Sequence, residues 1–256
     1  MRIGGYQQTS LIDYPGKVAA VIFTAGCNFR CPYCHNRDLV LARSEGCFFE
    51  ASEVLEDLEE RRNFLDGVVL TGGEPTLQKD LPDFVKKIKD LGLLVKLDTN
   101  GSNTSILCSM VKNELVDFVA LDVKASLDHR YARSVGISES ELATILLLGG
   151  AEGDTQKQGS ASEASRFLQS MVKIAESGVD FELRTTVVPG LHSEEDLLDL
   201  ARQLSEITPK AKWVLQNFQP KNCLDPEFEN VKPYDSAFFE NLVKKLKVYM
   251  PAVRVR

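Results

Sequence analysis

Six times along this chain a short apolar run rich in branched residues stops at a small or polar tip. The runs are VAAVIFTA (18–25), GVVLTGG (67–73), LLVKLDTNG (93–101), VDFVALDVKA (116–125), FELRTTVVPG (181–190) and AKWVLQNFQP (211–220). Helical periodicity covers 52–63, 81–91, 102–112, 165–177, 193–205 and 234–249; several of these open on a Ser cap and an acidic first turn, as at Ser193. Continuous apolar strands alternating with helices predict a parallel sheet covered by helices. Six such units in 256 residues predict a single α/β domain over 1–256, a partial (β/α)6 TIM-like barrel.

The unusual residues gather where the strands end: a cysteine run, Gly72-Gly73-Glu74-Pro75, Asp98-Thr99-Asn100-Gly101, Asp122 with Lys124, and Arg184. In barrels and open α/β sheets that rim is where sites are built. One segment breaks the alternation. Residues 138–163 are rich in Gly, Ser, Gln and Glu, which predicts a flexible loop over the rim, read as a surface insertion in preference to a lid.

Whole-chain properties narrow the function classes. A net charge of −7 opposes a nucleic-acid surface, because phosphate binding needs a basic field. No apolar run reaches membrane-spanning length and MRIGGYQQTS is not a signal peptide, so the expectation is a cytoplasmic protein with no membrane partner.

Cys27, Cys31 and Cys34 lie in GCNFRCPYCHN with the spacing C-x3-C-x2-C. Three close thiolates can hold three irons of a cubane cluster and leave the fourth open for chemistry. A zinc knuckle is the competing reading, but His35 follows Cys34 directly and adjacent ligands fit one tetrahedral ion poorly. Cys47, Cys108 and Cys223 are scattered and read as structural thiols.

Each rim motif carries a second reading. Gly72 and Gly73 allow close backbone approach to a ligand, and Glu74 can accept from an ammonium group; alone they could form a simple turn. Asp98 and Asn100 could be turn and cap residues. Asp122 and Lys124 share a strand face and could form a rim salt bridge. Arg184 within an apolar strand needs an anion, either a ligand or Glu182 on the same face, where Thr186 also lies. Gln216 and Phe218 are weaker candidates on the last strand, and His129 and His192 read as surface residues.

The cysteine spacing with Tyr33 before its last member, joined to Gly72-Gly73-Glu74, resembles the radical S-adenosylmethionine superfamily. The resemblance implies a 4Fe–4S cluster on Cys27, Cys31 and Cys34, with S-adenosylmethionine chelating the open iron. Cleavage of the sulfonium by the reduced cluster then gives methionine and a hydrogen-abstracting 5′-deoxyadenosyl radical. It further implies cofactor contacts from Tyr33, Gly72, Gly73, Glu74, Asp98, Asn100, Lys124, Arg184 and Thr186. Within that superfamily CPYCHN, the D-x-K of Asp122 and Lys124, and TSLIDYPGK near the start are similar to the activases of glycyl radical enzymes, above all those serving anaerobic ribonucleoside-triphosphate reductase. Such a protein would install a glycyl radical on its partner enzyme, fed by an electron donor such as flavodoxin or ferredoxin. The alternatives are a radical enzyme acting on a small molecule, like the 7-carboxy-7-deazaguanine synthases, and a non-enzymatic metal protein.

Overall fold

The computed structural model describes residues 1–41, 49–141 and 164–256. Cys47 and the stretch 142–163 of the expected loop therefore lie outside the described residues. The strands are β1 (Ile3–Ser10), β2 (Ala19–Thr24), β3 (Gly67–Gly72), β4 (Leu94–Thr99), β5 (Phe118–Asp122), β6 (Asp180–Val187), β7 (Lys212–Asn217) and β8 (Val253–Val255). The helices are α1 (Arg37–Leu41), α2 (Ala51–Arg61), α3 (Leu81–Asp90), α4 (Thr104–Lys112), α5 (His129–Val135), α6 (Ala164–Ser177), α7 (Glu194–Ile207) and α8 (Ser236–Leu246).

All eight strands form one sheet in chain order. β2 to β8 run parallel, and β1 adds an antiparallel edge beside β2. The six strands read from the sequence are β2 to β7, so the partial (β/α)6 barrel is the observed architecture with an extra strand at each edge. β1 escaped detection because IGGYQQTS lacks an apolar run, and β8 because it is three residues long. Helix α5 and the short α1 were also unanticipated. Where the expected loop begins, Ser138 and Glu141 cap each other's backbone N–H (3.1 and 2.9 Å) and a helix opens at residue 139. Ser-x-x-Glu is a capping box, and composition alone overlooked it.

The strands alternate in what they face. Val95 and Leu97 of β4, Val119 and Leu121 of β5, and Leu183 of β6 join the large core under the helices. The opposite face is apolar at the strand starts, where Tyr14 from the β1–β2 turn packs on Phe118 with ring centroids 6.0 Å apart. Towards the strand ends that inner face turns ionic, with Asp98, Asp122 and Arg184. The shift from apolar floor to charged rim along single strands is what positions the site. Among the described residues no helix is long and apolar enough to cross a membrane.

Candidate functional site

The loop from β2 to α1 carries the three cysteines and is anchored on several sides. Glu74 N–H donates to Gly26 O (2.8 Å), Gly73 N–H to Thr24 O (2.8 Å), and Asn36 Nδ2 to Gly72 O (2.9 Å). A Cβ on Gly73 would fall 2.0 Å from Gly26 O, so only glycine lets the two turns meet. From the other side, the segment after β7 straps the loop down: Asp225 N–H donates to Pro32 O (2.9 Å) and Asn222 Nδ2 to His35 O (3.1 Å). Cys223, within this strap, is buried, as a structural thiol should be, while Cys108 is half-buried on α4.

One cavity of about 200 Å³ gathers most of the rim. Its lining includes Cys27, Cys31, Cys34, Gly72, Gly73, Glu74, Asp98, Asn100, Lys124, Arg184 and Gln216. Tyr33 and Thr186 are not part of that lining; Tyr33 is buried beside Phe29, Tyr131 and Phe218. His35 is exposed, its ring 6.1 Å from that of Phe218. Thus residues from five strand ends converge on one space that also holds the thiols.

The donor set fits an iron–sulfur cluster. No three His, Cys, Asp or Glu side chains among the described residues converge as a single-ion nest. A cubane gives each thiolate its own iron, so three sulfurs around a shared cavity suit it. Burial, reinforced by Glu74, pushes the Cys27 thiol up to about 12, and burial raises Cys31 to about 11 against the pull of Lys124. Burial also raises Cys34. Thiols this reluctant to ionise are neutral without metal, so cluster binding must release their protons.

Glu74 is 1% exposed, and burial raises its carboxyl despite the hydrogen bonds it accepts. Oε1 accepts from Thr76 N (3.1 Å), Thr76 Oγ1 (2.6 Å) and Thr99 Oγ1 (2.7 Å); Oε2 accepts from Asn100 N (2.7 Å). This carboxylate braces the β3 tip against the β4 tip. Asn100 in turn donates through Nδ2 to Asn28 Oδ1 (3.0 Å), tying β4 to the cysteine loop.

Arg184 meets two carboxylates, and neither is Glu182. Its Nε donates to Asp122 Oδ1 (2.8 Å) and its Nη1 to Asp98 Oδ2 (2.7 Å). Glu182 instead pairs with Arg254 of β8 (3.2 Å), which settles against the alternative read from the sequence. Withdrawal from water would raise Asp122, but Arg184 and Lys124 outweigh it and hold the carboxyl at about 2. Lys124 Nζ donates to the second oxygen of Asp122 (2.8 Å). Burial opposes the charge on Lys124, and Asp122 more than restores it.

Two residues were misjudged or missed from the sequence. His192 is 1% exposed, not a surface residue. Its Nδ1 accepts from Val188 N–H (3.0 Å), which leaves Nε2–H to donate to the carbonyl of Lys124 (2.7 Å). Lys96 is also 1% exposed and ion-pairs with Asp98. A lysine inside an apolar strand carried the same signal that singled out Arg184.

Residues 21–204 match the model of the Radical SAM superfamily. A Methanocaldococcus jannaschii protein named as a glycyl-radical enzyme activating enzyme is 34% identical over 255 residues, 99% of this chain and 95% of that one. The pyruvate formate-lyase-activating enzyme of Clostridium pasteurianum is 28% identical over 260 residues, covering 96% and 97% of the two chains. Among solved structures, Streptococcus suis SuiB bound to S-adenosylmethionine superposes with a TM-score of 0.63 at 16% identity. That match covers 92% of this chain but spans only 49% of the longer SuiB chain, and it speaks for the fold alone.

Proposed function

Because the chain belongs to the radical SAM superfamily, whose members work with a 4Fe–4S cluster and S-adenosylmethionine, we propose that this radical SAM oxidoreductase is the activase of a glycyl radical enzyme. The observation that carries this reading is the full-length match to relatives named for that activity, at 34% and 28% identity. When bound, cluster and cofactor together supply the 5′-deoxyadenosyl radical that removes hydrogen from a partner's glycine.

In this reading Cys27, Cys31 and Cys34 hold the cluster. The backbone of Gly72 and Gly73 and the carboxylate of Glu74 shape the side that receives the methionyl ammonium group. Arg184 and Lys124 face the methionyl carboxylate, and Asp98 and Asn100 frame the ribose side. Tyr33 and Thr186 back the cofactor from outside the cavity lining. Arg184 suits its task because Nη2 has no hydrogen-bond partner among the described residues, while Nε and Nη1 are held. The partner proposed is anaerobic ribonucleoside-triphosphate reductase, on the resemblance of TSLIDYPGK and CPYCHN, with flavodoxin or ferredoxin donating the electron in the cytoplasm.

The test is anaerobic incubation of cluster-loaded protein with S-adenosylmethionine, a reductant and candidate partners, followed by electron paramagnetic resonance. A glycyl doublet on the anaerobic reductase is expected. A doublet only on a formate-lyase-type enzyme overturns the choice of partner, and turnover of a small molecule with no doublet on any protein overturns the activase reading.

A further inference from the structure

Five charged side chains form an unbroken, sign-alternating chain across the inner face of the sheet: Lys96, Asp98, Arg184, Asp122, Lys124. Each aspartate divides its oxygens. Asp98 gives Oδ1 to Lys96 and Oδ2 to Arg184 Nη1; Asp122 gives Oδ1 to Arg184 Nε and Oδ2 to Lys124. Four of the five line the cavity. Lys96 does not: it leaves the strand level with Phe118, one layer below Asp98, and its ammonium lies 6.0 Å from the centre of the Phe118 ring.

A buried ammonium with no access to the site costs solvation that an apolar side chain would not. Its effect is on the charge above it. Three cations and two aspartates leave one positive charge in excess, carried into the cavity by Arg184 and Lys124. Without Lys96 the four remaining charges would cancel, and Asp98 would draw on Arg184 alone.

We propose that Lys96 is a positioning residue for the cofactor: by neutralising Asp98 from below, it leaves Nη2 of Arg184, which has no hydrogen-bond partner among the described residues, and its charge for the methionyl carboxylate. The inference rests on the reading of Arg184 given above. It makes Lys96 necessary only while Asp98 is charged, and that dependence separates it from ordinary packing.

The measurement is the dissociation constant of S-adenosylmethionine for the cluster-loaded enzyme, divided by that of decarboxylated S-adenosylmethionine, which keeps the sulfonium and the ammonium and lacks only the carboxylate. Taking the ratio cancels any contact of Asp98 with the ribose. Lys96→Met should lower the preference for S-adenosylmethionine on the order of tenfold, the scale of one close charge in a partly shielded site. Lys96→Met with Asp98→Asn restores the net charge and should restore the preference to within a few-fold of wild type. A single variant that keeps the wild-type preference overturns the proposal, as does a double variant that does not recover it. If Lys96→Met alone does not fold, the double variant decides: retained preference supports the proposal, lost preference overturns it. Arg184→Ala separates the two readings. An unchanged preference in Arg184→Ala removes the premise, whereas a loss there with none in Lys96→Met sinks the role of Lys96 alone.

Discussion

Glu74 shows how much a single carboxylate can hold. Its two oxygens accept four hydrogen bonds from two buried strand tips, all from donors that water cannot reach to compensate. Glu74→Gln replaces one acceptor oxygen with a donor, facing either Asn100 N–H or the Thr76 and Thr99 donors. We expect a loss of about 1–3 kcal/mol in denaturant unfolding, the cost of unsatisfied buried groups. Gly73 fails differently: Gly73→Ala must push the Gly26 carbonyl aside directly beside Cys27, so the purified protein should hold less iron and sulfide while its helical circular dichroism persists. His192 sets a pH limit. Burial lowers its pKa from the usual 6.5, so below about that pH the unfolded chain takes up a proton the folded one refuses. Stability should therefore fall as pH drops below 6.5, by up to about 1.4 kcal/mol per unit from this group. His192→Asn should flatten that part of the profile in urea titrations at pH 7 and 5.5.

At the scale of elements, the strands were legible because their periodicity is clean and their tips are chemically marked. β4 illustrates both the reach and the limit of such reading. The sequence placed Asp98 at its tip, yet only the fold shows Lys96 rising from the layer beneath to meet it. Ion pairs between strands depend on register, which is why the sequence offered Arg184 a ligand anion or Glu182 on its own strand, and not Asp122 on the next strand or Asp98 on the one beyond. His192 was misread for a related reason: GLHSEED looks like a surface turn, and its burial comes from packing against the β5 and β6 tips and α5. Helix α7, in contrast, was readable from its start. Ser193 and Asp196 cap one another, and Asp196 also binds Arg130 of α5 at 2.7 Å. Ser193→Ala should cost about 1 kcal/mol in unfolding free energy. Its iron content should equal wild type, because the hydrogen bonds of the cap run between Ser193 and Asp196 and not to the cysteine loop.

For the molecule as a whole, cluster and fold are linked through protons. Burial raises all three cysteine thiols, and a cluster binds their ionised forms, so loading releases protons and is favoured as pH rises. Iron retention under a chelator should weaken between pH 8 and pH 6, and chelated protein should melt below loaded protein, since binding to the folded state adds to its stability. Equal melting temperatures would show that the cysteine loop is held entirely by its hydrogen bonds. The strap after β7 adds a matter of timing. A ribosome delivers the cysteines well before Asn222 and Asp225, so while the residues between them are made the loop exists without the segment that fastens it. Each newly made chain thus presents its three sulfurs to the cell before it can shelter them, and the order of translation itself sets a window in which oxygen or a stray metal can reach them first.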